Sequence, residues 1–293
     1  MTKQLLFQGS ATAIVTPFRD GGIDYEAFGN LIDFQIENKT DALVVLGTTG
    51  ESATISESER YEIIAFAKRR INKRVPLIVG TGTNNTQVSL RYSKSAESQG
   101  ADGLLIVTPY YNKATERGLI EHYSLIAKSV DAPIILYNVP SRTGVNMPIS
   151  VYKALSSIEN IVGIKEASGN ISYATEIIQA CHDNYSIYSG NDDLTLPILS
   201  LGGKGVISVV SNIMPEIMHT LCHEFINGNH QSATQLQLYL MPLIKELFKE
   251  VNPIPVKTAL YLMGKIQNEL RLPLCQSTRL DNIETILKQY NLI

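Results

Sequence analysis

Eight short runs rich in Val, Ile and Leu recur along the chain at nearly even spacing. They are Ala11–Phe18, Ala42–Leu46, Pro76–Gly80, Gly103–Thr108, Pro133–Val139, Ile161–Ala167, Tyr185–Ser189 and Val206–Val210. Each is apolar at odd and even positions alike, which suits a strand covered on both faces of a parallel sheet. Helix-patterned segments fill the gaps: Tyr25–Asn38, Glu57–Ile71, Thr86–Gln99, Glu116–Val130, Ile149–Ile158, Ser172–His182, Leu194–Leu201 and Pro215–Asn227. Strict strand–helix alternation predicts an α/β fold with right-handed crossovers. Eight units favour closure into a (β/α)8 TIM barrel over an open doubly wound sheet. The open sheet calls for a nucleotide fingerprint, and Gly80-Thr81-Gly82-Thr83-Asn84-Asn85 carries two of its glycines but not the third.

Local signals agree with these boundaries. Asp24 is a good N-cap, and Ser56 with Glu59 three residues on reads as a capping box. On the helix that follows, Tyr61, Ile64, Ala65 and the aliphatic stem of Lys68 form the expected inner stripe. Gly100, Gly202 and Gly228 stand near helix ends, where a left-handed C-cap favours glycine. The barrel is expected to occupy residues 1–230. Residues 231–293 form a C-terminal helical extension, with helices over Gln231–Glu250, Val256–Ile266 and Asn282–Tyr290. Asn252-Pro253-Ile254-Pro255 and Leu272-Pro273 join them.

Composition removes whole classes of function. With 44% apolar and 18% charged residues in 293, the chain can bury a large core and is not disordered. A net charge of −3 argues against a nucleic-acid surface. No run of about 18 apolar residues exists to span a membrane, and the N-terminus lacks a secretory pattern. Cys181, Cys222 and Cys275 show no paired spacing. The expected compartment is the cytoplasm.

In a barrel of this kind, chemistry belongs at the C-terminal ends of the strands. Lys165 is the one lysine inside any of the eight runs. A buried amine is either paired with a carboxylate, Glu166 being the nearest in sequence, or desolvated and able to attack a carbonyl as a Schiff-base nucleophile. Tyr137 ends the preceding run; its hydroxyl either shuttles protons for such an amine or bonds to backbone. Thr48 and Thr49, in a Gly-flanked turn, either bind a carboxylate or cap a helix. Arg142 either clamps a substrate carboxylate or is simply solvated. His219 and His223 are four apart with Cys222 between them. That spacing can bind zinc, but the Glu of a zinc-protease helix is missing, so metal is not expected. Gly202-Gly203-Lys204-Gly205 precedes the eighth strand and reads as a turn rather than an anion nest.

The same residues carry a resemblance that spans nearly the whole chain. The motifs are Gly47-Thr48-Thr49-Gly50-Glu51-Ser52, Thr108-Pro109-Tyr110-Tyr111-Asn112, Tyr137-Asn138-Val139-Pro140-Ser141-Arg142-Thr143-Gly144, Gly163-Ile164-Lys165-Glu166, Gly205-Val206-Ile207-Ser208 and Asn252-Pro253-Ile254-Pro255-Val256-Lys257. Together, and in this order, they resemble the dihydrodipicolinate synthase family within the pyruvate-dependent class I aldolases, which also include N-acetylneuraminate lyase. The resemblance implies condensation of pyruvate with L-aspartate 4-semialdehyde through a lysine Schiff base, the first committed step toward lysine and diaminopimelate. Lys165 would be the nucleophile and Tyr137 the proton donor and acceptor, with Thr48 and Tyr111 relaying protons. Thr49 would bind the pyruvate carboxylate and Arg142 that of the aldehyde. Ile207 and Gly190 would contribute backbone contacts. Neither a metal nor an organic cofactor is needed.

The resemblance also implies a homotetramer built as a dimer of dimers, with Tyr111 reaching the neighbouring subunit's site. Family members often carry a lysine feedback site near that interface, which Ser52, Ala53, Asn84 and Tyr110 match. Glu57 and Arg60 replace histidines of strongly inhibited members, and Val88 replaces a glutamate that pairs with the lysine ammonium. Weak or absent feedback is therefore expected. Two alternatives stand beside the synthase: another pyruvate aldolase, acting on a sugar aldehyde, and a barrel that binds a keto acid without catalysis.

Overall fold

The computed structural model describes residues 3–293. Ten strands follow in chain order: β1 (Gly9–Ala13), β2 (Phe18–Arg19), β3 (Gly22–Ile23), β4 (Ala42–Val45), β5 (Leu77–Gly80), β6 (Gly103–Val107), β7 (Ile134–Asn138), β8 (Ile161–Glu166), β9 (Ser186–Ser189) and β10 (Gly205–Ser208). Eight of them close into a parallel barrel in the order β1-β10-β9-β8-β7-β6-β5-β4. Closure is sealed by β1, which pairs with β4 on one side and β10 on the other. No helix of the described residues is long and apolar enough to cross a membrane.

Alternation along each strand splits the apolar residues into two cores. In β4, Ala42 and Val44 point into the barrel while Leu43 and Val45 pack outward on helices; in β7, Ile135 and Tyr137 point in while Ile134 and Leu136 point out. The double-sided apolar runs thus serve both cores. The small interior residues Ala11, Ala13 and Ala42 leave room there for the large rings of Tyr137 and Tyr188.

Several expectations need correction. The run read as Ala11–Phe18 leaves the sheet after Ala13. Pro17 offers no N–H to a ladder, and Asp20 and Gly21, both at positive φ, turn the chain into the β2–β3 hairpin. Phe18 is still fully buried, which explains why it reads as part of the run. On the helix Glu57–Ile71, the inner face is Arg60, Ile63, Ile64, Ala67 and Ile71, and Tyr61 is exposed. The stripe is rotated because Arg60 is drawn inward. Its guanidinium donates to Gly80 O at 3.0 Å and stacks 4.4 Å from the Tyr92 ring. The capping box at Ser56 and Glu59 is present, as is the Asp24 cap. Gly100, Gly202 and Gly228 all have positive φ.

The last helices are His230–Leu247, Ile254–Leu262 and Leu280–Gln289. The middle one begins two residues earlier than read, because Pro255 sits comfortably in a first turn. Leu240, Leu243, Val256, Leu260, Ile283 and Leu287 are buried in the same apolar cluster as the barrel helices.

Candidate active site

Strand alternation turns Ile164 outward and Lys165 into the barrel. Lys165 stands in register with Tyr137 of β7 and Tyr188 of β9. It is 6% exposed, and its Nζ lies 4.3 Å from the centre of the Tyr137 ring. Glu166 points the other way. Its carboxylate accepts from Asn138 Nδ2 at 2.9 Å and from Ser168 N at 2.6 Å. Burial raises the Glu166 carboxyl, and these donors partly offset that. The ion-pair reading of Lys165 therefore fails for Glu166.

Gly190 packs directly against the lysine. A Cβ there would stand 3.0 Å from Lys165 Cε and 2.6 Å from Ala167 Cβ, so the missing side chain makes room for the lysine stem. The Gly190 N–H donates to Glu166 O at 2.7 Å. Ile207 is fully buried beside Ala11 in the barrel interior. The loop that follows it is held by Asp192, whose Oδ2 accepts from the N–H groups of Val209 at 3.0 Å and Val210 at 3.2 Å. Asp192 is buried, which pushes its carboxyl pKa up.

The loop after β4 carries Thr48 and Thr49. Leu46 and Glu51 at its ends both have positive φ, and Gly50 N and Glu51 N bond back to Gly47 O and Thr48 O at 3.1 Å each. Thr48 lines two adjoining spaces. An outer cavity of about 290 Å³ is bounded by Ser52, Tyr110, Val139, Arg142 and Asn252 as well as Thr48. A small inner one of about 30 Å³ also contains Tyr137. Thr48, Ser52, Gly82 and Val107 line both. A larger groove of about 800 Å³, with Lys3, Lys128 and Glu159 among its lining, contains none of the predicted site residues.

Thr49 is buried, and its hydroxyl accepts from Asn252 Nδ2 at 3.0 Å. Arg142, exposed at the mouth, donates from Nη2 to Asn252 O at 3.0 Å. Asn252 thus connects two predicted substrate-binding residues. Its own Oδ1 is buried without a protein partner. Tyr111 is the predicted residue that its own chain does not bring in. It projects from a loop at φ +69° and is 91% exposed.

Residue-by-residue reading missed the support of the Thr48–Thr49 loop. Glu51 and Lys257 form a fully buried ion pair of 2.6 Å, and Lys257 Nζ also donates to Thr16 O at 3.0 Å. The other Glu51 oxygen accepts from Arg271 N at 3.1 Å. The Arg271 guanidinium reaches Thr54 O and both oxygens of Glu59, which holds the Glu59 carboxyl down at about 2. Phe18 lies beneath both cations, 4.2 Å from Lys257 Nζ and 4.4 Å from the Arg271 guanidinium carbon. The available signal was the Asn252-Pro253-Ile254-Pro255-Val256-Lys257 stretch, whose spacing alone names no partner.

Comparison with known proteins adds an independent line. The model of the dihydrodipicolinate synthetase family matches residues 6–289. A 4-hydroxy-tetrahydrodipicolinate synthase of Alkaliphilus oremlandii is 52% identical over 269 residues, covering 92% of this chain and 93% of that protein. The enzyme of the same name from Clostridium novyi is 48% identical and covers 98% and 97%. The crystal structure of dihydrodipicolinate synthase from Thermotoga maritima superposes with a TM-score of 0.96 at 45% identity, covering 99% of this chain and all of that one.

Proposed function

The chain belongs to the dihydrodipicolinate synthetase family, and from that premise we propose that it condenses pyruvate with L-aspartate 4-semialdehyde to 4-hydroxy-tetrahydrodipicolinate through a Schiff base on Lys165. One observation carries the reading: Lys165 is buried, free of Glu166 and in contact with Tyr137 at the C-terminal ends of neighbouring strands.

Lys165 Nζ attacks the keto carbon of pyruvate to give a carbinolamine. Loss of water then leaves an imine, and Tyr137 supplies the proton that water carries away. The imine withdraws electrons, a methyl proton departs, and an enamine forms. Its carbon attacks the aldehyde. The amine of the second substrate then attacks the imine carbon and expels Lys165, closing the ring. Thr48, which borders both the inner space and the mouth, passes protons outward from Tyr137. The Thr49 hydroxyl, held by Asn252, and the Ile207 backbone receive the pyruvate carboxylate. Arg142 at the mouth receives the carboxylate of the aldehyde, and Gly190, packed against the lysine stem, contributes a backbone contact.

The exposed Tyr111 completes the relay in a neighbouring subunit. The active assembly is then a cytoplasmic homotetramer, a dimer of dimers of residues 1–230 barrels carrying the 231–293 extension.

Borohydride reduction in the presence of pyruvate tests the mechanism. The expected result is one reduced pyruvyl group on Lys165, absent in Lys165→Ala. An unchanged mass would sink the catalytic reading. A Lys165 adduct combined with turnover of a sugar aldehyde alone would replace the synthase by another pyruvate aldolase.

A further inference from the structure

A second polar cluster lies at the opposite end of the barrel. Asp41 directly precedes β4 and Gly9 opens β1, so both stand at the N-terminal ends of strands, whereas Lys165 is near a C-terminal end. His219 and His223, one turn apart on the helix Pro215–Ile226, converge on Asp41. His219 Nδ1 lies 3.0 Å from Asp41 Oδ2, and His223 Nε2 lies 3.0 Å from Oδ1. The two imidazoles stack with centres 4.0 Å apart. All three ligand atoms fall within 4.8 Å of one another.

The surroundings hold this arrangement in place. Ser10 N donates to Asp41 Oδ2, the oxygen that faces His219, at 2.7 Å and so fixes the carboxylate. Gly9 has φ +114°, and a Cβ there would stand 2.1 Å from Asp41 Oδ2 and 2.8 Å from His223 Nε2. A residue with a side chain would fill the space the cluster uses. The side chains are partly open to solvent, at 22% for His219, 35% for His223 and 16% for Asp41.

We propose that Asp41, His219 and His223 form a binding site for a divalent first-row transition cation of the zinc type. Two imidazoles and a carboxylate are a borderline donor set that suits zinc rather than calcium or magnesium. Zinc–ligand bonds of about 2.0–2.1 Å in a tetrahedron place ligand atoms about 3.3 Å apart. The two His–Asp spacings of 3.0 Å, one to each carboxylate oxygen, fall a few tenths of an ångström short of that, and all three ligand atoms lie within 4.8 Å. A ligating nitrogen presents its lone pair to the cation, so a proton carried there passes to the other nitrogen of the same ring, and neither His219 Nε2 nor His223 Nδ1 is engaged with another described residue. A water molecule supplies the fourth ligand from the solvent side. The cation would tie the helix Pro215–Ile226 to the starts of β1 and β4, a structural role separate from the chemistry at Lys165.

Tag-free protein, stripped by chelator dialysis, is titrated with Co²⁺ under visible absorption and with Zn²⁺ in a calorimeter and in thermal melts. The expected result is one cation per chain with micromolar affinity and a raised Tm. His219→Gln and His223→Gln should each bind more than about a hundredfold more weakly, beyond the roughly 10–100-fold loss expected for an outer partner. A second readout needs no variant: oxidation by bound Cu²⁺ and ascorbate, mapped by mass spectrometry, should mark His219 and His223 and spare His122, His182 and His230. Millimolar affinity, binding that survives both substitutions, or oxidation centred on another histidine would each overturn the proposal.

Discussion

The side-chain amide of Asn252 donates to the hydroxyl of Thr49 over 3.0 Å, across 203 residues of sequence. The bond aims one Thr49 lone pair at the C-terminal segment and leaves its proton free for a substrate oxygen. Asn252→Ala removes the donor and leaves the backbone carbonyl that Arg142 uses. Losing one such bond is worth about 1 kcal/mol. The KM for pyruvate is expected to rise about fivefold to tenfold in steady-state assays, with kcat nearly unchanged. A lowered Tm with unchanged KM would reduce Asn252 to a structural role.

Tyr137→Phe keeps the ring against Lys165 and removes only the hydroxyl. General acid–base groups of this kind contribute about 10²–10⁴ in rate. We expect kcat to fall by that factor while borohydride still traps pyruvate on Lys165 after long incubation. A variant with near-normal turnover would transfer the proton chemistry to another group.

The Glu51–Lys257 pair is fully buried. Removing one partner of such a pair leaves an uncompensated charge and costs about 3–5 kcal/mol. Glu51→Gln and Lys257→Met should each lower the free energy of unfolding, read from urea titrations, by that amount. The double variant should lie closer to the parent than either single one, because neither charge then remains. A double variant as unstable as the sum of the singles would show that Glu51 and Lys257 act independently rather than as a pair.

Lysine should inhibit weakly if at all. Glu57 is engaged with Arg91, at 2.9 and 3.0 Å, and Arg60 is committed to Gly80 O and Tyr92, while Val88 offers no carboxylate to an incoming ammonium. Initial rates at sub-millimolar lysine should match the control. A tenfold loss there would refute the reading, and Val88→Glu is the substitution expected to bring sensitivity closer.

His122 links stability to pH. Its ring is buried, Nδ1 pairs with Thr86 Oγ1 at 2.9 Å, and Nε2 has no protein partner. Burial lowers its pKa from 6.5 to about 4. Between those values the unfolded chain takes up a proton that the folded chain does not, so stability falls as pH drops through that window and rises as pH increases. The full effect is about 3 kcal/mol. Urea titrations at pH 4 and 7 should show His122→Gln with a smaller difference between the two pH values than the parent.

The barrel was legible in the sequence because its cause is local: a strand covered on both sides must be apolar on both sides, and eight such runs are countable. Lys165 stood out for the same reason, as a charge inside one of them. What the sequence did not disclose depends on distant partners. Nothing near Glu51 announces Lys257, 206 residues on, and nothing near His219 announces Asp41. The inner face of the helix Glu57–Ile71 was misread because hydrophobicity ranks Tyr61 above Arg60. The backbone carbonyl of Gly80, set by the fold, reverses that order. Tyr111 is exposed, and no contact within its own chain tests its reading as an intersubunit residue.

The clasp between the Thr48–Thr49 loop and the C-terminal helices has a consequence for synthesis. A ribosome that has delivered β10 has released every barrel strand, together with Lys165, Tyr137 and Arg142, yet Asn252, Lys257 and Arg271 are still to come. The nascent barrel at that moment has Lys165 in place, while the loop after β4 holds only its internal turns and its bond to Thr16. The barrel interior is thus set first and the Thr48–Thr49 loop last, when Asn252, Lys257 and Arg271 arrive.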